Sequence, residues 1–162
     1  MKAFRTMDAA DFTSVLALND AEVRQTSPLD MEQLCSLVRM SSLAVVATVH
    51  DQVAAFLIAL REGAPYESDN YRWFNARFPA FLYVDRIVVD PRFARHRIGS
   101  RLYDDLFAFA RTQGVGKVTC EYNITPPNPA SQAFHARYGF TEVGSQWVAG
   151  GTKQVSLQAA DT

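Results

Sequence analysis

The chain has 162 residues, 48% of them hydrophobic and 20% charged, and one domain of that length can bury roughly two-thirds of its unfolded surface. Sixteen basic against seventeen acidic side chains leave a net charge of −1, which excludes a general electrostatic attraction to nucleic acid or to an anionic membrane. No repeat, low-complexity tract or charge block interrupts the sequence, so a single domain over residues 1–162 is expected.

Residues 3–6 predict a short first strand. Asp8 offers a cap for an amphipathic helix with Phe12, Val15, Leu16 and Asn19 at helical spacing. Ser27-Pro28 predicts the opening of a second helix, with Leu34, Leu37 and Val38 on its apolar side. Residues 43–49 and 53–60 are valine-rich apolar runs separated by His50-Asp51-Gln52, the pattern of a hairpin. Both runs are uncharged and far too short to span a bilayer.

A long connection over 61–79 follows, its second half (71–78) able to form a short helix; connections of this length are often functional. Residues 80–89 predict a strong strand ended by Asp90-Pro91. A helix carrying Ile98, Leu102, Leu106, Phe109 and Ala110 comes next and stops at Gly114. After a strand over 117–123, Pro126, Pro127 and Pro129 break the chain. A helix holding Ala130, Ala133, Phe134 and Tyr138 then closes at Gly139, and two strands follow at 140–148 and 153–158. This order predicts an α/β (α+β) fold, a mixed, mostly antiparallel sheet of about seven strands with helices on both faces.

The N-terminal residues Met1-Lys2-Ala3-Phe4-Arg5 carry no apolar signal-peptide core. Cys35 and Cys120 make no disulfide framework. Both point to a cytoplasmic, reduced protein. Three scattered histidines and two distant cysteines offer no zinc spacing, so no metal is expected.

The most informative stretch is RIVVDPRFARHRIGSRL, residues 86–102. A strand runs through a cationic loop directly into a helix, whose first N–H groups lack partners and sit at the positive end of the macrodipole. A pyrophosphate can accept from those groups, Gly99 allows close approach, and Arg92, Arg95, His96, Arg97 and Arg101 add positive charge. A solvated loop whose arginines merely face water is the alternative. Gly114-Val115-Gly116-Lys117 is no P-loop, since Arg111 replaces its first glycine and a strand follows it, and no strand precedes a G-x-G-x-x-G.

Residues 86–102 resemble the acetyl-CoA signature of the GNAT superfamily, Arg/Gln-x-x-Gly-x-Gly/Ala after a strand. Gly99 falls on the last glycine, and Ile98, Ser100 and Leu102 fit around it; Ala94 and Arg97 depart from the usual Arg/Gln and glycine. A second segment, NPASQAFHARYGF at 128–140, resembles the family's Asn-x-x-Ala/Ser-x-x-Phe/Leu-Tyr-Glu-Lys-x-Gly-Phe, with Asn128, Ser131, Phe134, Gly139 and Phe140 on matching positions. The two motifs come in the family's order, about thirty residues apart, and with the element order the resemblance covers nearly the whole chain.

The resemblance implies an N-acetyltransferase moving an acetyl group from acetyl-CoA, as co-substrate, to a primary amine in a ternary complex. The amine is a small molecule or a peptide or protein amine. The resemblance also implies that the backbone of Ile87, Val88 and Val89 holds the pantetheine arm. Arg95, His96, Arg97, Ile98, Gly99, Ser100, Asn128 and Ser131 complete the coenzyme site. Self-association as a homodimer, with the last two strands supplying an edge, rests on the same analogy.

Expelling a thiolate calls for an acid, and the family's usual tyrosine is replaced here by His135. Lying just off the stripe of Ala130, Phe134 and Tyr138, it need not be core, and imidazole can serve as acid or base near neutrality. A helix-surface histidine with no proton to move is the other reading, with Tyr122 and Tyr138 in reserve. Asp85, alternating with Tyr83, Ile87 and Val89, reads either as a base or as half of an ion pair with Arg86 or Arg61. Glu121 is a weaker candidate for the same work or for amine binding, and an ordered water could take the proton instead. Cys120, on an apolar strand, reads as a buried thiol rather than a nucleophile.

The aromatic residues between 66 and 83 line an acceptor pocket or anchor a long loop; Tyr71, Trp73 and Tyr83 are the candidate wall residues. A non-catalytic acyl-CoA-binding or sensor module on the same fold is the rival from another class, because function resides in the site.

Overall fold

Two left-handed residues set the first hairpin. His50 and Asp51 have φ of 50° and 64°, and Val49 stands opposite Gln52, so the turn has the tight two-residue form whose twist matches its strands. Gln52, expected in the turn, belongs to the strand. In this computed structural model, which describes residues 1–22 and 26–162, the elements are β1 (Lys2–Thr6), α1 (Phe12–Ala21), α2 (Met31–Met40), β2 (Leu43–Val49), β3 (Gln52–Arg61), α3 (Asp69–Asn75), β4 (Leu82–Val89), α4 (Ile98–Thr112), β5 (Lys117–Thr125), α5 (Pro129–Ala136), β6 (Thr141–Val148) and β7 (Lys153–Asp161).

The strands form one seven-stranded sheet in the order β1-β2-β3-β4-β5-β7-β6. β1 with β2, β2 with β3, β5 with β7 and β6 with β7 are antiparallel. β4 and β5 are parallel, Leu82 opposite Val118 and Tyr83 opposite Thr119, and α4 supplies the crossover that a parallel neighbour needs. The mixed, mostly antiparallel sheet read from the sequence is the fold observed.

The second helix starts later than Ser27-Pro28 suggested. Asp30 Oδ1 accepts the Gln33 N–H at 2.8 Å while Gln33 Oε1 accepts the Asp30 N–H at 2.9 Å, a reciprocal cap that fixes Met31 as the first helical residue. Asp8 does cap, but it caps the 3-10 turn Ala9–Asp11 that leads into α1.

The chain packs as two compact units, Met1–Leu60 with Val84–Phe109, and Arg61–Tyr83 with Ala110–Thr162. The first has Val15, Leu34, Leu37, Val46, Phe56, Ile58, Ile98, Leu102 and Leu106 in its core. The second is built on aromatic rings. Tyr71 meets Phe81 at 5.8 Å and Tyr83 at 5.6 Å, and Phe74 meets Tyr83 at 5.8 Å. These rings, together with hydrogen bonds from Tyr71 Oη to the Arg61 carbonyl (2.6 Å) and from the Ala64 N–H to Tyr71 Oη (2.9 Å), pin the long connection after β3.

Candidate functional site

In the first unit β4 ends at a turn organised by Asp90. Its N–H donates to the Ala54 carbonyl at 2.8 Å, and its carboxylate accepts the Arg92 N–H at 2.9 Å and the Arg92 guanidinium at 2.8 Å. The Arg92 hydrogen bonds hold the Asp90 carboxyl below the usual carboxylate range. Tight 3-10 turns over Pro91–His96 lead to Arg97, whose φ of 56° and ψ of 30° are left-handed. The Arg97 carbonyl accepts the Arg101 N–H at 3.1 Å, which makes Arg97 the residue that opens α4.

That conformation explains the departure noted in the sequence. The position where glycine is usual does require a glycine-type backbone, and an arginine there costs on the order of 1 kcal/mol. Ile98 is buried and anchors the helix start, with Gly99 and Ser100 half-buried in its first turn. First-turn N–H groups cannot be paired inside the helix, and the dipole there favours an anion.

The positive charge around this turn is smaller than the sequence suggests, because Arg92 pairs with Asp90 and Arg101 with Asp105 at 3.0 Å. Arg95, His96 and Arg97 are exposed. Along β4, Val84, Arg86 and Val88 are buried while Ile87 and Val89 keep partial exposure. Arg86 Nε donates to Asp85 Oδ2 at 2.6 Å, with both side chains almost wholly buried. Arg86 also donates to Asn19 Oδ1 (2.9 Å), the Ser27 carbonyl (3.0 Å) and Ser27 Oγ (2.9 Å). Of the two readings of Asp85, the structure supplies the ion pair, with Arg86 and not Arg61.

In the second unit β5 separates two sets of polar groups. Glu121 stands opposite Leu157 and Asn123 opposite Val155, and these β7 residues stand opposite Gly144 and Gln146 of β6. Gln146 Nε2 donates to Asn70 Oδ1 at 2.8 Å, and a Cβ at Gly144 would run into the Trp73 ring, so this face looks toward α3. On it the buried Tyr83 hydroxyl donates to the half-buried Glu121 carboxylate, at 2.9 Å and 2.8 Å to its two oxygens. One phenolic proton shared between two oxygens fixes the orientation of the carboxylate. Tyr71, buried and bonded at both ends of its hydroxyl, and Trp73, between Gly144 and the Arg77 guanidinium 4.1 Å from its ring, act as anchors of the segment.

On the opposite face of β5 lie Cys120, a buried thiol, and Tyr122. Burial pushes the Tyr122 phenol up, partly opposed by its hydrogen bond with Ser156. Ser156 Oγ accepts from Gln158 Nε2 at 2.6 Å and donates to Glu142 Oε2 at 2.6 Å. A chain of hydroxyls thus runs from Tyr122 to Glu142, which is exposed on the sheet's edge strand.

His135 is not on the helix surface. It is 5% exposed, with rings of Tyr122, Phe134 and Phe140 at 5.8, 5.4 and 5.2 Å. The Phe140 ring, brought back after Gly139 (φ 82°), covers the face that helical spacing alone had left outside the apolar stripe. His135 Nδ1 lies 2.7 Å from the Ser131 carbonyl, so that nitrogen carries the proton. Burial pushes the imidazole below its ordinary value, which leaves a neutral ring. Asn128 Oδ1 accepts the Ser131 N–H at 3.3 Å and caps α5; both residues hold the helix that carries His135.

The sequence reading missed Ser156, Gln158 and Glu142. Their contribution depends on the pairing of β5, β7 and β6, which includes register shifts at Asn123/Thr125 and at Glu142/Gly144, and no local signal carries that register. Among the described residues no group of three or more His, Cys, Asp or Glu could hold a metal ion, and no helix is long and apolar enough to cross a membrane.

Residues 3–140 match the Acetyltransferase (GNAT) family. Among curated proteins no sequence gives a significant match. Of the solved structures, Ard1 from Thermoplasma volcanium superposes with a TM-score of 0.81 at 18% identity, over 99% of this chain and 97% of that one. The ribosomal-protein-S18-alanine N-acetyltransferase from Escherichia coli gives 0.75 at 18% identity, over 99% and 94%. Arabidopsis thaliana Naa50, in complex with the bisubstrate analogue CoA-Ac-MVNAL, gives 0.75 at 10% identity, over 99% of each chain. At such identities the likeness is one of fold.

Proposed function

The chain belongs to the acetyltransferase (GNAT) family, and from that premise we propose that it moves an acetyl group from acetyl-CoA directly to a primary amine of a small molecule or peptide within a ternary complex. The observation that carries this reading is the division of titratable groups between the two faces of β5. Amide formation at an ammonium group needs a base, and release of a thiolate needs a proton. One face presents an oriented carboxylate and the other a phenol with an imidazole beside it.

Bound acetyl-CoA supplies the thioester-activated acetyl group. The first-turn N–H groups of α4, at Gly99 and Ser100, are assigned its pyrophosphate, because N–H groups at a helix start lack partners within the helix and the dipole there favours an anion. The backbone of Ile87, Val88 and Val89 is assigned the pantetheine arm, as the family resemblance implies.

Glu121 receives the amine and takes its proton. The carboxylate is half-buried, so an approaching ammonium is desolvated against it, and Tyr83 prevents it from turning away. Asp85 is already committed to Arg86 and is assigned no proton.

His135, neutral and with Nδ1–H engaged, is an acceptor at Nε2 rather than a ready acid. The proton for the thiolate is assigned to Tyr122, which exchanges with solvent through Ser156 and Glu142. Asn128 and Ser131 serve by fixing α5.

A thiol-release assay across a panel of amines tests this. The protein should release CoA thiol with at least one amine, and Glu121→Gln should lower kcat/KM by roughly 10²–10⁴ while leaving CoA affinity in place. CoA binding with no thiol release for any amine would make the chain a binding or sensor module instead. Full activity in the glutamine variant would remove Glu121 from the reaction.

A further inference from the structure

Three features coincide at Arg97. Its backbone is left-handed, where glycine would sit without strain and a long side chain does not. Among the described residues its guanidinium makes no ion pair or hydrogen bond, whereas Arg92 and Arg101 each hold a carboxylate. It also lines an open cleft of about 490 Å³ whose other walls are Lys2, Phe4, His96 and Arg101.

The remaining walls are held in place. Lys2 and Phe4 alternate onto one face of β1, and Lys2 Nζ donates to the His96 carbonyl at 3.0 Å. The Arg101 guanidinium lies 4.6 Å from the centre of the Phe4 ring while its Nε reaches Asp105. No lining residue is acidic. Asp105 offsets one of the three fixed cations, so the cleft keeps an excess of positive charge and donors on three side chains.

We propose that this cleft is a second anion site, taking a phosphate monoester dianion through Arg97, with Lys2 and Arg101 as supporting donors. It is distinct from the first-turn amides of α4, because its ligands are side chains that a glycine at position 97 would not provide. Strain retained at a residue with an unspent charge is the pattern expected of a ligand contact. Two sources share this chemistry. One is the ribose phosphate of the coenzyme itself, which rests on the transferase reading; the other is a separate phosphorylated molecule, which does not.

Calorimetric titration of the intact protein and of Arg97→Gly separates them. The glycine variant relieves the strained turn, so it should fold with a thermal midpoint no lower than the parent's. If the coenzyme's phosphate occupies the cleft, the parent binds CoA about tenfold more tightly than 3′-dephospho-CoA. The variant then loses that preference while keeping its affinity for dephospho-CoA.

If a separate molecule occupies the cleft, the parent does not discriminate between the two coenzymes. It still takes up inorganic phosphate when saturated with CoA, and the variant does not. The proposal is overturned if the parent shows neither behaviour, or if the variant keeps whichever one the parent shows. Failure of the parent to bind either coenzyme would instead count against the transferase reading, and phosphate titration of the free protein would still decide the cleft.

Discussion

Two polar clusters, one in each compact unit, differ in how they end. Around Arg86 every branch of the guanidinium is used within the chain, by Asp85, Asn19 and Ser27, and the Asn19 Nδ2 closes the circle on the Ser27 carbonyl at 2.9 Å. Around β5 the carboxylate held by Tyr83 is half-exposed, and the hydroxyl chain from Tyr122 ends on the exposed Glu142. Burial of a charge alone therefore does not mark chemistry in this molecule. A closed cluster ties α1 and Ser27 to β4, whereas an open one can exchange protons and meet a ligand.

The largest effect expected from this difference is on stability. Arg86→Ala leaves the Asp85 carboxylate buried without its ion partner, a change that typically costs about 3–5 kcal/mol. Denaturant unfolding should show that loss, while kcat per folded molecule stays close to the parent's. Glu121→Gln should behave in the opposite way, losing turnover with little change in unfolding. If Arg86→Ala instead abolished turnover in a protein of unchanged stability, the closed cluster would have to be counted as part of the reaction.

A smaller effect concerns pH. Burial lowers the pKa of His135 in the folded protein, so the unfolded chain binds a proton that the folded one refuses. The stability contributed by keeping the ring neutral is present above the unfolded value of about 6.5 and is lost as pH falls through it toward the lowered folded value. His135→Asn keeps a side-chain N–H for the Ser131 carbonyl but has no titration in this range. Its thermal midpoint should therefore fall less than the parent's between pH 7.5 and pH 5. Equal slopes would show that other groups govern the acid limb.

The contrast between the clusters also marks what the sequence could carry. Strands and helices were legible because their periodicities are local: the hairpin, the strand before the cationic loop and both helices after it lie where spacing puts them. Gly99, at the start of α4, and Asn128, as the cap of α5, could likewise be placed from neighbours alone. Helix α2 starts later than Ser27-Pro28 suggests because the Asp30–Gln33 cap outcompetes that start signal. The Tyr83–Glu121 contact joins residues 38 apart through a parallel pairing. The Ser156–Glu142 contact depends on a bulged register, and the burial of His135 depends on Phe140, which lies beyond its helix. Each is a tertiary contact that no window of sequence contains.

The smallest expected effect sits beside the open cluster. Thr119, opposite Tyr83 and on the same face of β5 as Glu121, is wholly buried, and among the described residues its Oγ1 has no hydrogen-bond partner. Replacing an unsatisfied buried hydroxyl by a methyl of the same shape removes a desolvation cost, so Thr119→Val should stabilise the fold by up to about 1 kcal/mol. For a domain of this size that corresponds to a rise in Tm of roughly 2–4 °C, with thiol release unchanged. A fall in Tm would show that the hydroxyl is satisfied in solution, by a buried water for instance. A valine variant that is stabilised but binds its amine more weakly would extend the open cluster by one residue, from Glu121 along β5 to Thr119.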